Sequence, residues 1–566
     1  MSVSPPSPSR SNFGPNKLLK SALEALGPLL TQISNITGTP GISLGVLHHG
    51  EILHTASYGL QDVENRVAPN ADTSFLLCSI TKAITASMIG MMVEEGKLDF
   101  TTQLRQIFPE YQRDDAQANI TIEDLLSHRT GLAPYDSLWL GSDNRIFLNR
   151  SDAIPTLSYV PSASPLRTRF VYDNIGYEVL GQVLEKLTGL SYLELLHERI
   201  IEPLHLNRTF FAQELFDNNT AKSYAALGDG SFFGIPPWGH GKDLLIGAAG
   251  AIRSSVSDLL VLYKALIEAA NSQVTQTSAP GSENPFKQMP MLLQGKIGVP
   301  NQSLREYSYA SGWIRAELPA ILDLFADYEP PVLNNGSESR LMIYHQGYIP
   351  GNAGFVALFP ETTTAVVLLG NSAGLTDAMK LLGQIIVETV LGNEVDAPTY
   401  IEAAKTASEN NVMLPNYVHQ DLLDGKMRDP PKRSTSAYTG RYYNAIGNFF
   451  IDINEVDGKL QVAYMGSDRD TFDLEPYQTD SFFWWIDYDE TVKRARLSGF
   501  PKEYFILSFG CPSKPTRWSF GANVRMGCLT WKHEFQLSGD GEVFQRKGRK
   551  ASSDMQRVSK MSMELK

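Results

Sequence analysis

The sequence predicts an α+β fold, an antiparallel sheet flanked by helices, followed by a separate all-β unit. Up to about residue 393, two strands are followed by many helices, then by three strands and a last helix, which is neither a βαβ alternation nor an all-β pattern. Beyond a Pro- and charge-rich stretch, short aromatic strands alternate with turns, as in a small barrel. The length of 566 residues agrees with this division, because it exceeds what one ordinary domain accommodates.

The first unit is predicted to begin with a helix over residues 17–36 and a β-hairpin made by residues 42–47 and 52–58, followed by a helix over 79–95. Its further predicted elements are helices at 122–126, 175–187, 192–201, 257–269 and 377–391, and strands at 341–344, 354–359 and 365–369. Residues 271–300 are polar and Pro-rich, and we expect them to form a long surface insertion.

The second unit is predicted from a series of aromatic strands. These are residues 438–443, 449–453, 459–464, 482–486 and 504–509. The predicted division of the chain is therefore a disordered tail at 1–16, an α+β domain at 17–393, a linker at 394–435, a barrel-like β domain at 436–546 and a disordered basic tail at 547–566.

Composition is that of an ordinary globular protein, with 42% hydrophobic and 20% charged residues. A formal net charge of -13 argues against a nucleic-acid or anionic-membrane partner. The three cysteines, Cys78, Cys511 and Cys528, are too few for a disulfide framework and lack metal-ligand spacing. No secretory signal or membrane-spanning run is visible. These features predict a cytoplasmic, reduced protein, and no pattern indicates a metal, nucleotide or flavin cofactor.

The first candidate for chemistry is a Ser-x-x-Lys element formed by Ser79 and Lys82 at the start of a predicted helix. Positions three apart share a helix face, so the lysine amine can approach the serine hydroxyl. A hydroxyl is a weak nucleophile until a base takes its proton, and a desolvated lysine can be that base. In isolation the pair is equally typical of a capping serine and a surface lysine.

Two further short elements follow in the chain. Tyr172 and Asn174 flank Asp173 just before a predicted helix, where a phenol near a lysine could move a proton and an amide could bind substrate. This triplet also reads as a turn with an N-cap. His345-Gln346-Gly347 follows a predicted strand, where a small residue lets a substrate lie close to the backbone.

Taken together, these residues resemble the serine β-lactamase and penicillin-binding-protein superfamily, in its class C-like esterase and transesterase branch. The resemblance covers roughly residues 17–391 and includes the three motifs in the family's order. Two flanking segments also match: residues 125–132, Leu-Leu-Ser-His-Arg-Thr-Gly-Leu, and residues 247–255, Gly-Ala-Ala-Gly-Ala-Ile-Arg-Ser-Ser, with Asp258 beyond. Five ordered matches are far more specific than any one of them.

The resemblance implies that Ser79 forms an acyl-enzyme, while Lys82 and Tyr172 share the acid and base work and Asn174 orients the substrate or the lysine. It places the oxyanion hole at the backbone N–H groups of Ser79 and Tyr348. Penicillin-recognising members usually have Lys-Thr-Gly where this chain has His345, Gln346 and Gly347. The missing cation argues for an ester, thioester or amide of a non-β-lactam small molecule, and similar fungal enzymes suggest secondary metabolism.

The resemblance further implies that the aromatic C-terminal module is a lipocalin-like domain that covers the cleft or supports a homo-oligomer. Hydrolase and acyltransferase remain alternatives, because both use one acyl-enzyme. A catalytically inactive binding or scaffold member is a third reading. A fourth takes Ser372, in a Gly-x-Ser-x-Gly sequence after a strand, as the nucleophile of an α/β-hydrolase, with His419 or His533 as its partner.

Overall fold

The computed structural model describes residues 15–211, 217–238, 243, 245–275, 284–300, 303–322, 330–430, 433–511 and 526–546. The predicted tails, 1–16 and 547–566, lie outside the described residues, apart from Pro15 and Asn16, which begin the first helix. Within the described residues, no helix is both long enough and apolar enough to cross a membrane.

The described helices and strands follow the predicted order. The helices are α1 (Pro15–Ala25), α2 (Gly27–Ile36), α3 (Thr81–Glu94), α4 (Leu104–Ile107), α5 (Ile122–Leu126), α6 (Ala153–Tyr159), α7 (Asn174–Thr188), α8 (Tyr192–Leu196), α9 (Gly247–Gly250), α10 (Val256–Thr275), α11 (Met289–Leu292), α12 (Ala378–Val390), α13 (Ala397–Asp424) and α14 (Tyr488–Lys493). The strands of the first part are β1 (Gly41–His48), β2 (Glu51–Gly59), β3 (Phe75–Leu76), β4 (Phe210–Phe211), β5 (Tyr224–Ala226), β6 (Phe232–Gly234), β7 (Ile252–Ser254), β8 (Ile297–Gly298), β9 (Tyr307–Tyr309), β10 (Ile314–Leu318), β11 (Ala320–Ile321), β12 (Val332–Leu333), β13 (Arg340–Ile349), β14 (Asn352–Phe359) and β15 (Thr364–Gly370). Those of the second part are β16 (Gly440–Tyr443), β17 (Phe450–Val456), β18 (Lys459–Tyr464), β19 (Thr471–Asp473), β20 (Glu475–Gln478), β21 (Ser481–Phe483), β22 (Ile506–Phe509), β23 (Cys528–Trp531) and β24 (Glu542–Arg546).

An eight-stranded antiparallel sheet, in the order β2-β1-β15-β14-β13-β10-β9-β8, forms the centre of the first part. Successive side chains of a strand point to opposite faces of the sheet, and in the inner strands both sets of side chains are buried. Along β14, Val356 and Leu358 pack into the core under α10, whereas Phe355 and Ala357 pack into a second core under α12. This antiparallel sheet with helices on both faces confirms the predicted α+β fold.

Two local expectations for this part are wrong. The helix predicted over residues 17–36 is divided into α1 and α2, because Pro28 has no N–H with which to continue the hydrogen bonds of α1. The predicted surface insertion at 271–300 is partly core: Phe286, Met289 and Leu292, spaced three apart, are buried on one face against α3 and α10. Residues 276–283 lie outside the described part.

The second part is a nine-stranded antiparallel sheet in the order β19-β18-β17-β16-β24-β23-β22-β21-β20. Its two edge strands, β19 and β20, are consecutive in the chain, so the sheet curls into a nearly closed barrel. Stacked aromatic rings fill it, for example Phe472 on Trp484 at a ring distance of 4.1 Å. The predicted all-β, barrel-like unit is confirmed, and its lipocalin-like character stays a prediction.

The stretch predicted as a linker, 394–435, contains the 28-residue helix α13. Asp396 caps this helix and Pro398 lies in its first turn, where a proline is tolerated. The helix packs against α2 and α12 in the first part, while Val418 and Leu422 pack on aromatic residues of the barrel. Its exposed polar faces explain why its sequence resembles a linker.

The cysteines also differ from the expectation of a reduced protein. Cys511 and Cys528 are joined by a disulfide, whereas Cys78 is buried and free. The two bonded residues are 17 positions apart in the sequence, a spacing that does not by itself indicate the pairing.

Candidate active site

Ser79 lies in a short 3-10 turn, Cys78–Ile80, that leads from β3 into α3. The turn is held tightly: Cys78 has a φ of 50°, in the left-handed region that non-glycine residues seldom adopt. Nearly all of α3 is buried, which fixes the position of its first turn. The Ser79 side chain itself stays half-buried, so that its hydroxyl remains accessible.

Lys82, one turn along α3, is completely buried. Its Nζ lies 3.1 Å from Ser79 Oγ, 2.8 Å from Asn174 Oδ1 and 3.0 Å from the carbonyl oxygen of Ala249. Burial lowers the pKa of Lys82 to about 7, since desolvation disfavours the charged form and outweighs the opposing effect of nearby Asp136. Ala249 belongs to α9, so the segment 247–255, which was singled out in the sequence, includes a residue whose backbone contacts Lys82.

Tyr172 and Asn174 are brought to Ser79 by the start of α7. The Asp173 side chain accepts a hydrogen bond from the Gly176 N–H and caps the helix, so Asn174 becomes its first residue. The Tyr172 ring centre lies 4.8 Å from Lys82 Nζ. Burial raises the pKa of Tyr172, against the smaller effect of a hydrogen bond with the Ser79 hydroxyl, so the phenol is protonated at neutral pH.

His128, in the turn after α5, holds the backbone around Tyr172 in place. Its Nδ1 accepts a hydrogen bond of 3.0 Å from the Asp173 backbone N–H, and its carbonyl oxygen accepts one from the N–H of Val171. The His128 ring lies 4.2 Å from the Tyr172 ring, centre to centre. The histidine therefore fixes the backbone on both sides of Tyr172.

His345 lies inside β13 and is buried. Its Nδ1 is 2.6 Å from the carbonyl oxygen of Gln346, which assigns the ring proton to Nδ1, and its Nε2 accepts a hydrogen bond of 3.0 Å from the Tyr309 hydroxyl. Burial, with a smaller effect from Lys82, lowers the pKa of His345 to about 3. The position therefore holds a neutral imidazole.

Gly347 and Tyr348 bring β13 against the Ser79 turn. A Cβ on Gly347 would lie 2.3 Å from the carbonyl oxygen of Leu77 and 3.1 Å from Cys78 Cβ, so only glycine permits this approach. Gly347 pairs with Gly354, and Tyr348 pairs with Ala353, in β14. This register fixes the position of β13 relative to the rest of the sheet. The Tyr348 side chain is exposed and lies at the wall of a cavity.

Asp136 is a site residue that the sequence analysis missed. Its carboxylate accepts hydrogen bonds from Asn174 Nδ2, at 3.2 and 3.3 Å, and from Trp139 Nε1 at 2.8 Å. The first contact orients the Asn174 amide so that its oxygen faces Lys82. Desolvation raises the pKa of Asp136 to about 6. Tyr309 was missed as well, because neither residue belongs to a recognisable short motif.

A cavity of about 130 Å³ lies between the two parts of the molecule, and one of its lining residues, Asn174, contacts Lys82. Asp136, Trp139, Asn174 and Tyr348 line it from the first part. Arg496, Leu497, Phe500 and Tyr504, from the segment that follows α14 in the barrel part, complete its wall. The barrel thus encloses one side of the candidate site.

Ser372, the alternative nucleophile, lies in a buried turn and not in the cluster around Ser79. Ser372 is buried and its Oγ accepts a hydrogen bond of 2.9 Å from the Gly374 N–H, which makes it part of the turn after β15. His419 stacks on Trp485, and His533 pairs with Glu542 at 2.8 Å. An α/β-hydrolase requires a mainly parallel sheet, so the antiparallel sheet shows that this reading is wrong.

Among the residues that the structure describes, no group of three or more His, Cys, Asp or Glu side chains could hold a metal ion.

An antiparallel sheet with helices on both faces is the fold of the β-lactamase-like serine hydrolases. The profile of the Beta-lactamase family matches residues 28–390, and the chain belongs to this family. Among solved structures, it is similar to the octameric penicillin-binding protein homologue from Pyrococcus abyssi, with a TM-score of 0.54, 21% identity, and coverage of 82% of this chain and 94% of that one. This likeness shows the fold alone.

Among curated proteins, the chain is 26% identical over 459 residues to the Unguisins hydrolase ungD of Aspergillus violaceofuscus, with 75% of each chain covered. It is 24% identical over 349 residues to Protein flp of Staphylococcus aureus (strain MRSA252), with 59% of each covered. The family and the name of the first relative support a hydrolase.

Proposed function

We propose that this protein is a serine hydrolase that forms an acyl-enzyme at Ser79 from an ester, thioester or amide of a small molecule other than a β-lactam. The observation that carries the proposal is the contact of 3.1 Å between Lys82 Nζ and Ser79 Oγ, made by a buried lysine whose pKa falls to about 7. A base that is half neutral near pH 7 can activate a hydroxyl at that distance.

The contacts of Lys82 support its role as the base rather than Tyr172. A neutral amine has two N–H donors and one lone pair, and two carbonyl oxygens, of Asn174 and Ala249, accept the two donors. The lone pair is then left to face Ser79. Tyr172, whose pKa burial raises, keeps its proton and suits the role of general acid.

The proposed cycle follows from these positions. Ser79 Oγ bonds to the substrate carbonyl carbon while Lys82 takes its proton, and the backbone N–H groups of Ser79 and Tyr348 stabilise the oxyanion. The bond to the leaving oxygen, sulfur or nitrogen then breaks, and this atom takes a proton from Tyr172, which Lys82 replenishes. Water attacks the acyl-enzyme in the same way and releases the acid and Ser79.

The neutral His345 supports a substrate other than a β-lactam. A carboxylate beside the scissile bond calls for a fixed cation, and a buried imidazole with a pKa of about 3 does not supply one. The name of the relative, Unguisins hydrolase, supports hydrolysis over acyl transfer, and a place in secondary metabolism is part of our proposal. An acyltransferase would use the same acyl-enzyme with an alcohol or amine in place of water.

We also propose that residues 17–393 form the catalytic domain and that the barrel, 436–546, shapes the substrate cavity. The P. abyssi neighbour is described as octameric, and we extend a homo-oligomer to this chain as part of the proposal. Light scattering on the purified protein measures the oligomeric state directly.

The experiment that tests the proposal is intact mass followed by peptide mapping, after exposure to a fluorophosphonate and, separately, to an activated short-chain ester. We expect one adduct, on Ser79, that is absent in Ser79→Ala and much slower to form in Lys82→Ala. Ser372→Ala serves as the matched control and should label normally. The absence of any adduct in the wild-type protein would favour an inactive binding member.

A further inference from the structure

The cavity lined by the site residues Asn174 and Tyr348 also contains a carboxylate that takes no part in the proposed acyl-enzyme cycle. Asp136 lines the cavity, and its oxygens accept hydrogen bonds from two neutral groups, the Asn174 amide and the Trp139 indole N–H. A second carboxylate, of Glu534, is near enough to raise the pKa of Asp136. In the described part of the chain, neither forms an ion pair with a Lys or Arg side chain.

The cations near the cavity are already engaged. Arg496 lines the wall, but its guanidinium donates to Asp470 at 2.7 Å and to the Tyr504 hydroxyl at 3.0 Å. Lys82 is the other cation that acts on Asp136, and its pKa of about 7 leaves it largely uncharged in slightly basic solution. Among the described residues, Asp136 therefore lines the cavity without an ion-pair partner from the cavity wall.

The remaining walls suit an organic cation. Trp139, Tyr348, Phe500 and Tyr504 place aromatic rings around the same space. Aromatic faces attract ammonium groups, and a carboxylate at one end adds a charge-assisted hydrogen bond. A cavity of about 130 Å³ has room for a small aminoalkyl group but not for a large ring system.

We propose that this cavity binds a positively charged amino group of the substrate, with Asp136 as its anionic partner. The inference rests on the proposed acyl-enzyme and names its substrate class: small acyl compounds that carry an ammonium group close to the scissile bond. The amino group can belong to the acyl part, as in an amino-acid amide, or to the leaving part, as in an amino-alcohol ester.

The test compares charged substrates with neutral partners of the same shape. Glycine 4-nitroanilide and propionic acid 4-nitroanilide, in which a methyl group replaces the ammonium group, report on an amine in the acyl part. Acetylthiocholine and S-(3,3-dimethylbutyl) thioacetate report on a cation in the leaving part. In the wild-type protein, at low salt and pH 7.5, we expect kcat/KM to favour the charged member of one pair at least tenfold.

The variant Asp136→Asn should reduce that ratio at least fivefold. A purely structural role for Asp136 would lower kcat/KM equally for both members of a pair and leave the ratio unchanged, which would overturn the inference. Asp229→Asn, which removes an exposed carboxylate in the turn between β5 and β6, is the matched control and should leave the ratio as it is. Glu534→Gln is a second variant, expected to reduce the ratio by a smaller factor.

The wild-type comparison stands even if Asp136→Asn does not fold. Fluorophosphonate labelling of Ser79 separates the two proposals. Labelling together with equal kcat/KM for both members of each pair would overturn the ammonium site alone. No labelling and no turnover of any of the four compounds would overturn the acyl-enzyme and, with it, this inference.

Discussion

Lys82 is the residue whose ionisation should control the reaction. Its pKa is lowered to about 7 by burial, and only the neutral amine can accept the Ser79 proton. We therefore expect kcat/KM for an uncharged ester to rise with pH through about 7 and to level off above it. Lys82→Arg, which stays protonated because the guanidinium pKa exceeds 12, should lose activity by about 10² to 10⁴.

Asp173 provides the control for this pH profile, because burial also raises its pKa, to about 7. Asparagine caps a helix as well as aspartate does, so Asp173→Asn should preserve the start of α7. The profile of this variant should keep its rise near pH 7. A profile that becomes flat in Asp173→Asn, with activity retained, would assign the ionisation to the carboxyl group and contradict the role given to Lys82.

At the scale of single residues, the sequence predicts those site residues that lie a short, fixed number of positions apart. Ser79 and Lys82 are one helical turn apart, so local geometry alone brings their side chains together. Asp136 and Tyr309 reach the site from a loop and from β9, through contacts made only when the chain has folded. Neither position carries a local pattern, and a single sequence contains no signal from which either could have been found.

The contact between β13 and the Ser79 turn is the critical one at the scale of elements. In Gly347→Ala the new Cβ would overlap the Leu77 carbonyl oxygen. Because of this overlap, β13 could not keep its present position. The strand would have to move, and the Tyr348 N–H would leave the proposed oxyanion hole. One such donor is worth about 3–4 kcal/mol, so kcat/KM should fall by about 10² to 10³.

Gly298→Ala is the matched control, because Gly298 lies in β8 at the far edge of the same sheet with open space around its Cα. Its kcat/KM and melting temperature should match those of the wild-type protein. If Gly347→Ala also retained full kcat/KM, the close approach of β13 would have no part in catalysis.

Hydrophobic periodicity predicts the elements well where one face is buried. The same periodicity does not reveal an element in a segment whose residues are mostly polar. The helix α13 is classed as a linker because its exposed faces are polar and it contains Pro415, although buried side chains such as Tyr400 and Leu422 hold it in place. The short edge strands β19 and β20 are too brief to show a period, and the closing of the barrel depends on them.

At the scale of the whole molecule, Asp470 connects the barrel to the catalytic part. This buried carboxylate accepts hydrogen bonds from the backbone N–H of Ser142, at 2.8 Å, and from Arg496 at 2.7 Å. Ser142 belongs to the loop that carries Asp136 and Trp139, and Arg496 lines the cavity. One side chain thus joins the two walls of the cavity that we propose to bind the substrate.

We expect Asp470→Ala to loosen the barrel from the catalytic part and to destabilise the protein by about 3–5 kcal/mol, because it leaves the buried Arg496 without its partner. The cavity would lose its barrel wall, so KM for a cavity-filling substrate should rise, whereas fluorophosphonate labelling of Ser79 should continue at a similar rate. Urea unfolding and steady-state kinetics measure the two effects separately.

Asp452→Ala is the appropriate comparison, because Asp452 forms an ion pair of 2.7 Å with Arg441 on the outside of the barrel, where the arginine is exposed. Such surface pairs contribute about 0–1 kcal/mol, so this variant should change neither stability nor KM appreciably. If Asp470→Ala raised KM no more than Asp452→Ala does while losing stability, the barrel would support the fold without shaping the site. A rise in KM confined to Asp470→Ala would instead make the joint between the two parts a determinant of which substrates reach Ser79.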